Sequence, residues 1–280
     1  MDVAIYVCSL QRAAKKPKVE HAVRLNKVLK WCRRKEAFIT YKQLEPPCRL
    51  LSISDSAFRK EDKTGLAMRG AIIAVASAKD PGLSGLMHAI EYYARKQRRV
   101  TRSTYSAELN AASDAYEFAK LIALTLAELV QPCPQASMLT SMEENGSLPI
   151  AVHLIIDARS VFDSLRAEEI RPPTEISLVM MLCQLKEAML THTLKGLHWV
   201  DTHDMLADGL NKGACSRESL VKFGQTGEWN LLHKPISFSE TRHVPILSVR
   251  AAVTEAFVAQ LIEDNSLSLD STGVWHVHNR

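Results

Sequence analysis

The stretch "IAVHLIID", residues 150–157, is a nearly continuous apolar run that ends in an acid. Its length suits a strand better than a helix, and a run without polar alternation is what a strand covered on both faces of a parallel or mixed sheet requires. Open α/β sheets present ligands at the carboxyl ends of their strands, which is where Asp157 falls. Upstream, "RLLSISDSAF" (49–58) and "RGAIIAVAS" (69–77) carry the apolar and β-branched content of strands, joined by the charged loop "RKEDKTGLAM". "LMHAIEYYARKQRRVT" (86–101) reads as a third strand running into a basic turn. Three successive strands predict an antiparallel meander. Downstream, "LKGLHWVDT" (194–202) is a fifth strand.

Between these lie helical patterns. From Thr104 to Val130 a stripe of Leu109, Ala112, Tyr116, Ala119, Ala123 and Leu124 recurs at helical intervals, with Ser103 and Thr104 as candidate caps. Residues 131–149 are rich in turn formers and read as a loop. "SVFDSLRAEE" (160–169), residues 174–192 and "HDMLADGLNKG" (203–213) predict helices, the last ending at Gly213 as a C-cap. The order β-β-β-α-β-α-α-β-α implies an α/β fold: a mixed five-stranded sheet flanked by helices.

Residues 19–33 place Val19, Ala22, Val23, Val28, Leu29 and Cys32 at helical spacing, with Arg24, Lys27, Lys30 and Arg33 largely opposite, a basic amphipathic helix. "EPPC" (45–48) then breaks the chain. We expect a basic helical segment over 1–46, a domain over 47–214 and a partly disordered extension over 215–280 with one helix, "VRAAVTEAFVAQLIE" (249–263). The 280 residues are 46% hydrophobic, enough for one core of ordinary size. The net charge of +4 mildly favours a polyanionic partner. Cysteines at 8, 32, 48, 133, 183 and 215 lack zinc-knuckle spacing, so we expect reduced thiols in an intracellular protein, cytoplasmic or nuclear. No signal peptide, membrane span or membrane partner is expected.

Four acids stand out by position. Asp55 lies late in the first strand, Glu108 in the first turns of the long helix on its buried face, Asp157 at the end of the apolar strand and Asp208 within the last helix. An ionised carboxylate is costly to bury unless it is paired or bound to metal, and clustered carboxylates repel one another. Two Mg2+ ions, or Mn2+ in their place, would neutralise four such groups and supply phosphodiester chemistry. Serines 103 and 106 lack the glycine pattern of a nucleophile elbow and are better read as capping residues.

The blocks "SISDSAF", "TRSTYSAELNAAS", "LIIDARSVFDSL" and "WVDTHDMLADGLNKG" resemble, in the same order, the four active-site blocks of the ribonuclease H domain in Ty1/copia-type retrotransposon polyproteins. The resemblance spans roughly residues 20–214 and matches Asp55, Glu108, Asp157 and Asp208 to that family's four acids. It implies a ribonuclease H-like fold and metal-dependent hydrolysis of the RNA strand of RNA:DNA hybrids during reverse transcription, beside a reverse transcriptase domain. Three positions depart from the family pattern: Ala158 stands where an Asn is usual, Arg159 replaces a polar residue, and Asn211 precedes the matching Lys212. A catalytically degenerate nucleic-acid-binding module of the same fold is the alternative.

The basic run Arg95, Lys96, Arg98, Arg99 and Arg102 precedes the Glu108 helix. It reads either as a solvated turn or as a grip on hybrid phosphates. Some ribonucleases H place an assisting histidine ahead of the last acid. His203 is the candidate here, because His198 falls inside the strand; such a residue is most often an incidental surface or packed histidine. Tyr92 and Tyr93 are read as sheet packing.

Overall fold

A computed structural model describes residues 1–34, 38–58, 66–130, 135–168, 173, 175–242, 267–269 and 275–277. The chain is a mixed α/β structure in which a seven-stranded sheet is flanked by helices. The meander predicted upstream forms β1 (Cys48–Ala57), β2 (Met68–Ser77) and β3 (Gly85–Lys96), paired antiparallel in that order. The apolar run becomes β4 (Ala151–Ile156), lying parallel to β1 and, on its other side, to β5 (Leu194–Trp199).

Two short edge strands complete the sheet, β6 (Glu228–Trp229) beside β3 and β7 (Ile236–Phe238) beside β5, both antiparallel to their neighbours. The expected count of five strands is therefore corrected to seven in the order β6-β3-β2-β1-β4-β5-β7. Strands of two and three residues are too short to show a period in sequence. A separate hairpin pairs β8 (Leu267–Leu269) with β9 (Trp275–Val277); the helix expected at 249–263 lies outside the described residues.

Helices α1 (Ala4–Ala13) and α2 (Val19–Arg34) precede the sheet, and neither buries a residue. The apolar stripe read on α2 stays in solvent, with Val19 82% exposed. The long helix α3 (Thr104–Val130) matches the predicted range, and Ser103 caps it by accepting the Ser106 N–H through Oγ at 3.1 Å. Its buried face is built on Ala107, Ala111, Ala112, Ala115, Ala119, Ala123 and Ala127. Side chains this small let the helix lie close enough for the Ser52 hydroxyl in β1 to donate to the Ala115 carbonyl at 3.0 Å.

Two stretches differ from the expected elements. The loop expected over 131–149 contains helix α4 (Ala136–Glu144), whose Met, Leu and Glu content favours a helix until Gly146 turns the chain at φ +60°. The helix expected over 203–213 is instead a 3-10 turn at Thr202–Asp204 followed by the four-residue α7 (Asp208–Asn211), so Gly213 is not its cap. The cause is Asp204. Its carboxylate accepts the Leu232 and His233 N–H groups at 2.9 Å each and its carbonyl accepts Trp229 Nε1 at 3.1 Å, which ties this segment to the chain beyond β6 rather than to a helix.

Helices α5 (Arg159–Arg166) and α6 (Val179–Leu190) join α3 on one face of the sheet, where Leu50, Leu109, Tyr116, Leu154, Phe162 and Leu185 form one core. On the other face, α7 and α8 (Glu218–Thr226) cover a second core of Leu51, Ile53, Ile72, Leu210, Phe223 and Trp229. Met1 and Ala4 pack against this second core. Cys8, Cys32, Cys48, Cys183 and Cys215 are unpaired thiols, and Cys133 lies outside the described residues. No helix among the described residues is long and apolar enough to cross a membrane.

Candidate metal centre

Strand register brings the first two acids together. β1 and β4 run parallel with Ile53 beside Ile155, so two residues further along both strands Asp55 and Asp157 stand side by side on the same face. Glu108 comes from the first turns of α3, and its carboxylate accepts the Ser56 backbone N–H. Carboxylate oxygens of Asp55, Glu108 and Asp157 all lie within 4.8 Å of one another.

Asp208 arrives on α7, from the face of the sheet opposite α3. Gly70 of β2, paired with Asp55, makes this approach feasible: a Cβ there would stand 2.8 Å from Leu210 Cβ and 3.1 Å from the Ala207 carbonyl. A side chain at Gly70 would thus push α7 off the sheet. The Lys212 ammonium joins Asp208 to the cluster, lying 2.6 Å from Asp208 Oδ1 and 3.2 Å from Asp55 Oδ2.

The electrostatics follow from this crowding. Burial, then the charge of Asp208, pushes Asp55 up to about 7. Burial, then Asp55 and Asp157, pushes Glu108 up to about 10. Burial, then Asp55, pushes Asp157 up to about 6. Although burial works against its charge, Asp55 and Asp208 hold Lys212 above the ordinary lysine range.

Asp55 is 1% exposed. Its Oδ2 accepts from Asn211 Nδ2 at 2.8 Å, whereas its Oδ1 is buried with no donor. A buried carboxylate oxygen without a partner is costly. Asp55 belongs to a cluster whose donors are all oxygens, the set that suits a hard divalent cation. Asp55, Glu108 and Asp157 could hold such an ion.

Several contributors were not singled out from sequence. Thr202 donates to Asp157 Oδ2 at 3.0 Å, and Trp199 Nε1 donates to the Asp157 carbonyl at 2.8 Å, fixing the acid's orientation. Asn211, visible in sequence only as a departure from the family pattern, is a donor to Asp55. Lys212 carried a signal, since it follows Asp208 by four residues in a helical stretch.

His203 is not drawn into the cluster. Its side chain is 81% exposed, and both its ring and its backbone N–H bond Asp201 Oδ1, at 2.7 and 2.9 Å. His198 is buried in β5, bonded to His153 at 3.0 Å and to Ser237 at 2.8 Å.

In the basic run, Arg95, Arg98, Arg99 and Arg102 are exposed, while Lys96 is half-buried. The Arg95 guanidinium lies over the Tyr93 ring at 5.2 Å. Arg98 and Arg99 line a groove of about 780 Å3 together with Arg69, Asn110 and Gln184, and with the acids Asp114, Glu117 and Glu187. Gln97 anchors the turn next to the acid helix by donating to the Ala107 carbonyl at 2.7 Å. Tyr93 is buried against Phe118, and Tyr92 is 38% exposed.

No protein-family model matches this chain, and a search of curated proteins finds no match either.

Proposed function

We propose that this chain is a ribonuclease H-like nuclease that hydrolyses the RNA strand of RNA:DNA hybrids with the help of a divalent cation. The observation that carries this reading is the meeting of Asp55, Glu108 and Asp157 from β1, α3 and the end of β4, together with a buried Asp55 oxygen, Oδ1, that no donor reaches. One ammonium beside several buried carboxylates leaves the cluster only partly compensated, at a cost to stability that a bound cation would offset. When bound, Mg2+ would supply a Lewis acid to polarise a phosphodiester and acidify water.

The protein's own groups do the rest. Thr202 and Trp199 hold Asp157 in one orientation. Burial, then Asp55 and Asp157, favour the protonated form of Glu108 while the site lacks a cation, so a bound cation would compete with that proton. Lys212 keeps positive charge against Asp55 and Asp208. The exposed guanidiniums of Arg98, Arg99 and Arg102 supply contacts to backbone phosphates, which give affinity without base specificity, and A-form shape selects the hybrid.

A second reading, a binding module without turnover, is favoured by one feature: the Lys212 ammonium already neutralises part of the acid pocket. The two readings separate when end-labelled RNA:DNA hybrid is incubated with Mg2+ and either wild type or Asp157→Asn. Cleavage of the RNA strand by wild type, reduced at least a hundredfold in the variant, supports the nuclease. Equal binding by both proteins without cleavage supports the module.

A further inference from the structure

We infer that Lys212 is a built-in cation standing in place of a second metal ion, so that this site takes one divalent cation, held by Asp55, Glu108 and Asp157. The inference rests on the metal-dependent reading of the cluster. A pair of ions about 3.5–4 Å apart needs carboxylates that give an oxygen to each, and Asp55 is the residue at the centre. Its Oδ2 is already saturated, by Asn211 Nδ2 at 2.8 Å and Lys212 Nζ at 3.2 Å. Only Oδ1 remains for an ion. Asp208, the fourth acid, spends Oδ1 on the same ammonium at 2.6 Å.

Lys212 is fixed rather than incidental. Its carbonyl accepts Arg217 Nη2 at 2.9 Å and Cys215 Sγ at 3.1 Å, and its N–H donates to the Asp208 carbonyl at 2.9 Å. The Arg217 guanidinium also reaches the Gly209 and Cys215 carbonyls, and it lies 4.9 Å over the Tyr6 ring, whose hydroxyl donates to the Gly213 carbonyl at 3.3 Å. Helix α1 and the start of α8 therefore pin the chain segment that carries the ammonium. Four carboxylates, one ammonium and one dication leave a single net negative charge. A second dication beside the ammonium would meet strong repulsion in so buried a place.

Ion counting tests this without reference to activity. The full chain is titrated with Mn2+, following heat and the electron paramagnetic resonance spectrum, alongside Lys212→Met and Lys212→Arg, with folding checked by circular dichroism. We expect one tight ion with an uncoupled spectrum for wild type and Lys212→Arg. For Lys212→Met we expect two ions with spin coupling.

Two ions in wild type, or one in folded Lys212→Met, overturn the inference and leave the nuclease reading standing. No tight ion in wild type overturns both. One ion in wild type with no cleavage of hybrid sinks the nuclease reading alone. Should Lys212→Met not fold, the wild-type and Lys212→Arg counts decide: one ion in each sustains the inference, and two in either overturns it.

Discussion

Replacing Asp157 by Asn removes a negative charge that the fold holds at a cost. Burial and Asp55 move this carboxyl from 3.8 to about 6, so the folded chain binds the proton more tightly than the unfolded chain does. The associated stability is fully present below about pH 4 and is lost as pH rises through 6. Above pH 7 the ionised form therefore penalises the metal-free fold by about 3 kcal/mol. Asn keeps an oxygen that can accept from Thr202, so little else is removed. The expected result at pH 8 without metal is a gain of about 3 kcal/mol, or about 5–10 °C in Tm. At pH 4 the gain should vanish. Millimolar Mg2+ should then raise the wild-type Tm, by about 2.7 kcal/mol of stability at a hundred times Kd, and leave Asp157→Asn almost unchanged. Calorimetric or circular-dichroism melts at both pH values, with and without Mg2+, are the assay. A variant less stable than wild type at pH 8, or one stabilised by Mg2+ as much as wild type, would refute the electrostatic reasoning.

Three further outcomes follow from other parts of the molecule. The pair formed by half-buried His153 and buried His198 is held neutral, His198 down to about 4 by burial and then Arg49, and His153 down to about 3 by burial, His198 and Arg49. Their depressed values mean that stability falls as pH drops below about 6.5, where the unfolded chain takes up protons first. Between pH 7 and pH 4.5, urea denaturation should show wild type losing on the order of 2 kcal/mol more than His198→Gln, and equal losses would contradict this. Gly70→Ala should cost about 1–3 kcal/mol and weaken Mg2+ affinity in calorimetric titration, because its Cβ would meet Leu210 and the Ala207 carbonyl and shift α7. Arg98→Ala with Arg99→Ala should weaken hybrid binding and flatten its dependence on salt by about one to two phosphate contacts, as read by anisotropy at several ionic strengths.

What could be read from residues alone divides along the range of the interactions. The apolar run ending at Asp157, the apolar stripe of α3 and the meander all report local pattern, and each element appears close to its expected bounds. Long-range placement was not legible in the same way. Nothing near Gly70 in sequence says that α7 will press on it, and the register that sets Asp55 beside Asp157 depends on which strands pair. The approximate grouping of the four acids came from their places on the expected strands and helices and from resemblance in block order, not from any spacing. Asp204 shows the opposite failure: a helical pattern over 203–213 was overridden by bonds from Leu232, His233 and Trp229, which lie more than twenty residues away. The basic amphipathic helix expected over 19–33 forms as α2, but amphipathic spacing does not reveal whether a partner surface exists within the chain, and none of its residues is buried.

The most direct measurement of the central claim is a crystal of the chain grown or soaked with Mn2+ and examined by anomalous diffraction. A peak is expected in direct contact with oxygens of Asp55, Glu108 and Asp157, with Asp55 Oδ1 among the ligands. A site where those three side chains remain metal-free at saturating Mn2+, or an ion bound only elsewhere on the surface, would contradict it.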